Sequence, residues 1–233
     1  MNRIKNSLPE SLPLIKTANL CKSYTSGNET VHPLYNVNME ILHGEFIAIM
    51  GPSGTGKSTL LHILGCLDRP DSGSYHLNGK NILQLDDIEL SLLRASKIGF
   101  VFQAYNLISQ CTLIDNVAMP FLYHPAPPEN IYDLARTALK KVGLAERETH
   151  RPNQLSGGEM QRAAIARALI IKPLVVLADE PTGNLDNENT KSILNLFHEM
   201  HWQGTTLIVV THDDEVAEAA DRVCFIKNGS LSG

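Results

Sequence analysis

The run Gly51-Pro52-Ser53-Gly54-Thr55-Gly56-Lys57-Ser58, continued by Thr59 and the apolar Leu60, Leu61, Ile63 and Leu64, governs the reading of its surroundings. It satisfies the pattern G-x-x-x-x-G-K-S/T, whose glycines let backbone N–H groups wrap a phosphate closely. The pattern alone is only moderately specific, so its flanks matter. Phe46-Ile47-Ala48-Ile49-Met50 before it is a short unbroken apolar run, as in a strand buried on both faces of a parallel sheet. After it, Leu60, Leu61 and Leu64 fall at helical spacing with no proline before Pro70. Strand, glycine-rich turn and helix present a helix N-terminus to an anion. These flanks favour a nucleoside triphosphate loop over a glycine-rich turn with a solvated lysine. Lys57 is then expected on the β- and γ-phosphates, and the Ser58 hydroxyl on Mg²⁺.

Working outward, Leu14–Leu20 reads as a strand and residues 22–28 as a loop. Leu34–Ile41 alternates as a half-buried antiparallel strand does, and Asn78-Gly79 joins Tyr75–Leu77 to Lys80–Ile82 in a hairpin. Asp86–Ala95 predicts a short helix, and Ile98–Phe102 another buried strand, ending at Gln103. From Ala104 no strand-like run appears until residue 174. Thr112–Leu122, interrupted at Pro120, and Ile131–Val142, stopped by Gly143, read as helices on either side of a proline-rich loop. Residues 104–165 therefore read as a mainly helical insertion. The core resumes with strand Leu174–Ala178, helix Asn187–His201, strand Thr206–Val210, helix Asp213–Ala220 and a terminal hairpin around Asn228-Gly229. The fold class is α/β: a P-loop NTPase (RecA-like) core, an antiparallel β layer and an inserted helical subdomain. Residues 1–13 read as a flexible lead-in, and 14–233 as one domain.

The 233 residues carry 43% apolar side chains and a net charge of −5, enough for a large core and neither disordered nor membrane-like. No block of Lys and Arg points to nucleic acid. The longest apolar runs, such as Leu174–Ala178, are far too short to cross a bilayer, and prolines and a glutamate follow Asn2-Arg3-Ile4-Lys5 where a secretory signal would be apolar. Cytosolic residence is expected unless a partner holds the chain at a membrane. Cys21, Cys66, Cys111 and Cys224 include no C-x-x-C pair and read as reduced structural thiols.

Two further segments carry chemistry. Leu174–Ala178 ends in Asp179-Glu180, where Asp179 can hold a metal and Glu180 can polarise a water. Leu155-Ser156-Gly157-Gly158-Glu159 opens a helix over Met160–Ile171. Its Ser-Gly-Gly reads either as a second anion-receiving helix N-terminus or as an ordinary helix cap. The residues alone leave both open, as they leave His212 a strand-end histidine and Tyr24 a loop tyrosine.

Taken together, the motifs resemble those of the nucleotide-binding subunits of ATP-binding cassette (ABC) transporters, over residues 14–231. The ordered set is Gly51–Ser58 (Walker A), Gln103 (Q-loop), Leu155–Glu159 (signature), Val175–Glu180 (Walker B and catalytic glutamate), Asn184-Leu185-Asp186 (D-loop) and His212 (switch histidine). The resemblance implies a Mg²⁺-dependent ATPase in which two copies pair head to tail with ATP between them. Thr59 would join the Walker A contacts, and Ser156, Gly157 and Gly158 would meet the γ-phosphate held by the other copy. Gln103 and Asp179 would join Ser58 at Mg²⁺, His212 would hold the γ-phosphate, Asp186 would link the two sites, and Tyr24 would stack on adenine. Gly65–Pro70, Asn116–Pro120 and Ala178–Asp186 are similar to the LolD/MacB branch, to which FtsE is related. This implies a separate integral-membrane permease of the MacB, LolC–LolE or FtsX kind, docked on residues 104–165 at the cytoplasmic face of a bacterial inner membrane. The cargo would be lipoprotein, peptide or macrolide. The proline-rich Tyr123–Asn130 loop departs from the branch. A regulatory ATPase signalling through the membrane partner without transport would carry identical motifs.

Overall fold

Strand β3 (Phe46–Met50), buried at all but its last residue, lies inside a six-stranded sheet because neither of its faces is polar. The computed structural model describes residues 12–27 and 29–233. Residues 1–11 of the expected lead-in, and Asn28, lie outside the described residues. The sheet order is β10-β9-β3-β8-β7-β6, formed by β6 (Ile98–Phe102), β7 (Val175–Asp179), β8 (Thr206–Val210), β9 (Arg222–Lys227) and β10 (Ser230–Ser232) with β3. All its ladders are parallel except β9 with β10.

Successive residues of the central strands serve opposite faces. Val175, Leu177, Ile208 and Val210 join one core, and Val176, Ala178, Leu207 and Val209 the other. The first core is closed by helix α1 (Lys57–Leu64) and an antiparallel sheet of order β2-β1-β4-β5. Its strands are β1 (Ile15–Ser26), β2 (Glu29–Ile41), β4 (Ser72–Leu77) and β5 (Lys80–Asn81). Tyr75 is wholly buried there, and its hydroxyl donates to the Leu64 carbonyl at 2.6 Å. The opposite face is covered by α5 (Gly157–Leu169), α6 (Asn187–Trp202) and α7 (Asp214–Glu218). A third core joins α3 (Leu113–Ala118) and α4 (Ile131–Lys141) to Ala163 and Ala166 of α5. Helix α5 thus belongs to two cores, and its small residues let both approach closely. The remaining helix, α2 (Asp87–Lys97), begins with a capping box between Asp86 and Glu89.

Four local readings are corrected. Lys22–Ser26 is strand and not loop, because β1 and β2 pair onward through Tyr24↔Val31 to Ser26↔Glu29. Register shifts along that ladder break the period of two that marks a strand in sequence. Ile82 leaves the strand, because the Asn81 side chain accepts from Leu83 N–H and starts a 3₁₀ turn over Ile82–Gln84. Helix α5 begins at Gly157, three residues before the expected Met160, with Ser156 as its cap. The helix expected over Thr112–Leu122 becomes 3₁₀ over Met119–Leu122, around Pro120.

Candidate nucleotide-binding site

The carboxyl ends of β3, β8, β7 and β6 lie in register: Ile49 pairs with Val210, Val210 with Asp179, and Asp179 with Phe102. The segments leaving these strands carry Gly51–Ser58, Thr211-His212, Glu180 and Gln103, so one sheet edge gathers residues distant in sequence. That edge is where open α/β sheets bind ligands.

The loop after β3 needs glycine at two positions. Gly51 (φ +153°) and Gly56 (φ +102°) lie at positive φ, and a Cβ would fall 2.4 Å from the Ile226 carbonyl oxygen and 2.1 Å from that of Pro33. With the chain so turned, Lys57 opens α1 and its Nζ donates to the Gly51 carbonyl at 2.7 Å and the Pro52 carbonyl at 3.0 Å. The Thr55 hydroxyl also donates to Pro52, at 2.8 Å. The lysine is 8% exposed, so its cation sits in the mouth of the loop.

Beside it, the Ser58 hydroxyl donates to Asp179 Oδ1 at 3.3 Å. Burial pushes the Asp179 carboxyl above its ordinary pKa, against the opposing pull of the Ser58 hydrogen bond. Glu180 comes next, with φ +46° fixed by its N–H donating to the Val210 carbonyl at 2.9 Å. Its Oε2 lies 2.8 Å from His212 Nδ1. Gln103 Nε2 reaches Asn184 Oδ1 at 3.4 Å, and Asn184 Nδ2 donates back to the Gln103 carbonyl at 3.3 Å.

Tyr24, Val31, Pro33, Ser53, Gly54, Gly56, Lys57, Ser58, Thr59, Gln103, Glu180 and His212 line one open cleft of about 470 Å³. Of the expected site residues, Leu155–Glu159, Asp186, Gly51, Pro52, Thr55 and Asp179 do not line it, although Asp179 touches it through Ser58. Ser156 caps α5 in a capping box: its side chain accepts from Glu159 N–H at 3.2 Å, and Glu159 accepts from Ser156 N–H at 2.8 Å. Glu159 also pairs with Arg147 at 3.1 Å. Asp186 caps α6, accepting from Asn189 N–H at 2.8 Å. Val31 and Pro33 line the cleft without belonging to any of its motifs. They reach it through the β1–β2 register, which no motif announces.

The residues suit a magnesium-bound polyphosphate. The Ser58 hydroxyl and Asp179 carboxylate are adjacent hard oxygen donors, as Mg²⁺ takes. The glycine cradle and Lys57 supply N–H groups and a cation for phosphate. Among the described residues, no helix is long and apolar enough to cross a membrane.

Comparison with known proteins agrees. The sequence profile of the family described as "ABC transporter" matches residues 34–183. The uncharacterized ABC transporter ATP-binding protein YvrO of Bacillus subtilis is 49% identical over 91% of this chain and 93% of its own length. The macrolide export ATP-binding/permease protein MacB of Chlorobaculum tepidum is also 49% identical, over 93% of this chain. This chain spans only 33% of that relative's length. Among solved structures, the ATP-binding cassette MJ0796, a dimer in a post-hydrolysis state bound to ADP and Pi, superposes with a TM-score of 0.87 at 42% identity. The match covers 94% of this chain and 97% of that one.

Proposed function

The chain belongs to the ABC transporter family, and on that premise we propose that it is the ATP-hydrolysing subunit driving a separate integral-membrane permease. One observation carries the reading. The cleft gathers Ser53, Gly54, Gly56, Lys57 and Ser58 of Walker A with Gln103, Glu180 and His212, yet Leu155–Glu159 lie outside it. In this reading each copy holds half a site, and a second copy supplies the signature residues. That MJ0796 is dimeric with ADP and Pi bound supports this arrangement.

In the closed dimer, loop N–H groups and Lys57 hold the phosphates, and the Tyr24 ring takes the adenine. Ser58, Asp179 and the Gln103 side chain would hold Mg²⁺, which when bound neutralises phosphate charge. Glu180 Oε accepts a proton from the attacking water, His212 holds the γ-phosphate, and Ser156, Gly157 and Gly158 of the second copy close over it. Asp186, as cap of α6, links the two sites. Nucleotide binds the closed state better than the open one, and that difference drives the permease.

The helical unit within 104–165, with its own core of α3, α4 and α5, is the surface assigned to the permease. The likeness to MacB, named for macrolide export, supports an export role through a MacB-like partner. The branch motifs of the sequence extend the reading to extraction of peptide or lipoprotein through a LolC–LolE or FtsX-like partner. The chain would then sit at the cytoplasmic face of a bacterial inner membrane.

The Glu180→Gln variant tests this. Saturating Mg-ATP is expected to double its mass in light scattering while phosphate release stops. A variant that stays monomeric beside its membrane companion, or that still turns over, would overturn the reading.

A further inference from the structure

Tyr24 is not a free loop tyrosine. Its hydroxyl donates to Asp68 Oδ2 at 2.6 Å, and the other oxygen of that carboxylate accepts from Lys22 Nζ at 2.8 Å. Lys22 also donates to the Arg69 carbonyl at 2.7 Å, and its ammonium lies over the Tyr24 ring, 5.0 Å from the centroid. A cation at that distance is attracted to the ring face. One face is thereby covered, while the residue stays 45% exposed and lines the cleft. In the same segment, Asp71 Oδ2 accepts from both the N–H and the hydroxyl of Ser23, at 2.6 Å each.

Asp68 lies just beyond the end of α1. The Leu67 N–H donates to the His62 carbonyl at 2.8 Å, pinning this segment to the end of that helix. Tyr24 belongs to the other sheet. The carboxylate thus bridges the strand carrying the ring and the helix whose N-terminus faces the phosphates. Burial would raise the Asp68 pKa, but the Lys22 and Tyr24 hydrogen bonds outweigh it and hold the carboxylate below its ordinary value. It therefore stays charged at neutral pH.

We propose that Asp68 and Lys22 are positioning residues for the base. They fix the Tyr24 ring, and with it the distance from base to phosphate subsite, before nucleotide arrives. The inference rests on the nucleotide-site reading above. Such preorganisation raises affinity by reducing the ordering that binding must otherwise supply.

Tyr24→Phe, Asp68→Asn and the double variant are titrated with Mg-ATP and with Mg-tripolyphosphate, which has no base. Each single change should raise the ATP Kd about fivefold or more, as loss of a charge-assisted hydrogen bond does. The double variant should be no worse than the weaker single, and tripolyphosphate binding should stay as in wild type. Unchanged ATP binding by Tyr24→Phe, equal loss for both ligands, or additive losses would each overturn the proposal. Tyr24→Phe removes a single oxygen, so it answers alone if Asp68→Asn does not fold. Lys57→Ala separates the underlying reading: it should weaken both ligands. If it weakens neither, the phosphate site itself is misassigned and the positioning proposal falls with it.

Discussion

His212 Nδ1 lies 2.8 Å from Glu180 Oε2, although the two residues leave different strands and the histidine side chain is otherwise 72% exposed. Glu180 adopts a left-handed backbone that costs roughly 1 kcal/mol or more for a residue with a Cβ. The strain is held by its N–H bond to Val210, on the strand that leads to His212. The proposed base and γ-phosphate ligand therefore form a preset pair in which His212 orients Glu180. His212→Ala is expected to lower the phosphate-release rate about 100-fold, as removal of one preorganised polar group does. ATP affinity should stay near that of wild type, because Lys57 and the loop N–H groups remain. Stopped-flow phosphate release and ATP titration measure the two. A variant turning over at more than about a tenth of the wild-type rate would remove His212 from the reacting assembly.

The glycines of the phosphate loop are not equivalent. At Gly54 (φ +78°) an added Cβ meets nothing within 4 Å, whereas at Gly56 (φ +102°) it would sit 2.1 Å from the Pro33 carbonyl. Gly54→Ala bears only backbone strain of roughly 1–2 kcal/mol, equivalent to a Tm loss of about 2–8 °C in a chain this long. Gly56→Ala must also move β2 or the loop. It should melt lower than Gly54→Ala and bind ATP far more weakly. Calorimetric melts and ATP titrations of the pair check the order, and equal melting temperatures would contradict it.

Much of this was legible in the sequence because the functional residues mark element ends. Met50, Phe102, Asp179 and Val210 close buried apolar strands, and the segment leaving each strand reaches one sheet edge. Motif and strand pattern therefore reported the same geometry twice. The β1–β2 hairpin was not legible, because bulges there separate burial from a period of two. Only resemblance to a family position singles out Tyr24 in the sequence. Its partners Asp68 and Lys22, and its neighbour Val31, come from cross-strand register and an ion pair between segments more than 40 residues apart. The contact of Gln103 with Asn184 was hidden for the same reason.

Glu159 gives the signature segment a pH dependence. The Ser156 backbone N–H holds its carboxylate below the ordinary value near 4.5; burial opposes this, and the Ser156 hydroxyl and Arg147 add to it. The folded chain thus binds this proton less readily than the unfolded one. Its stabilisation is complete above about pH 4.5 and is lost as pH falls through the lower folded value. Glu159→Ala is expected to cost about 1 kcal/mol at pH 7, the scale of one capping interaction beside a partly exposed ion pair. For a chain of this size that is about 2–4 °C in Tm. The gap between variant and wild type should narrow as both are melted at successively lower pH. A gap as wide at pH 3.5 as at pH 7 would show that the Glu159 charge does not stabilise the start of α5.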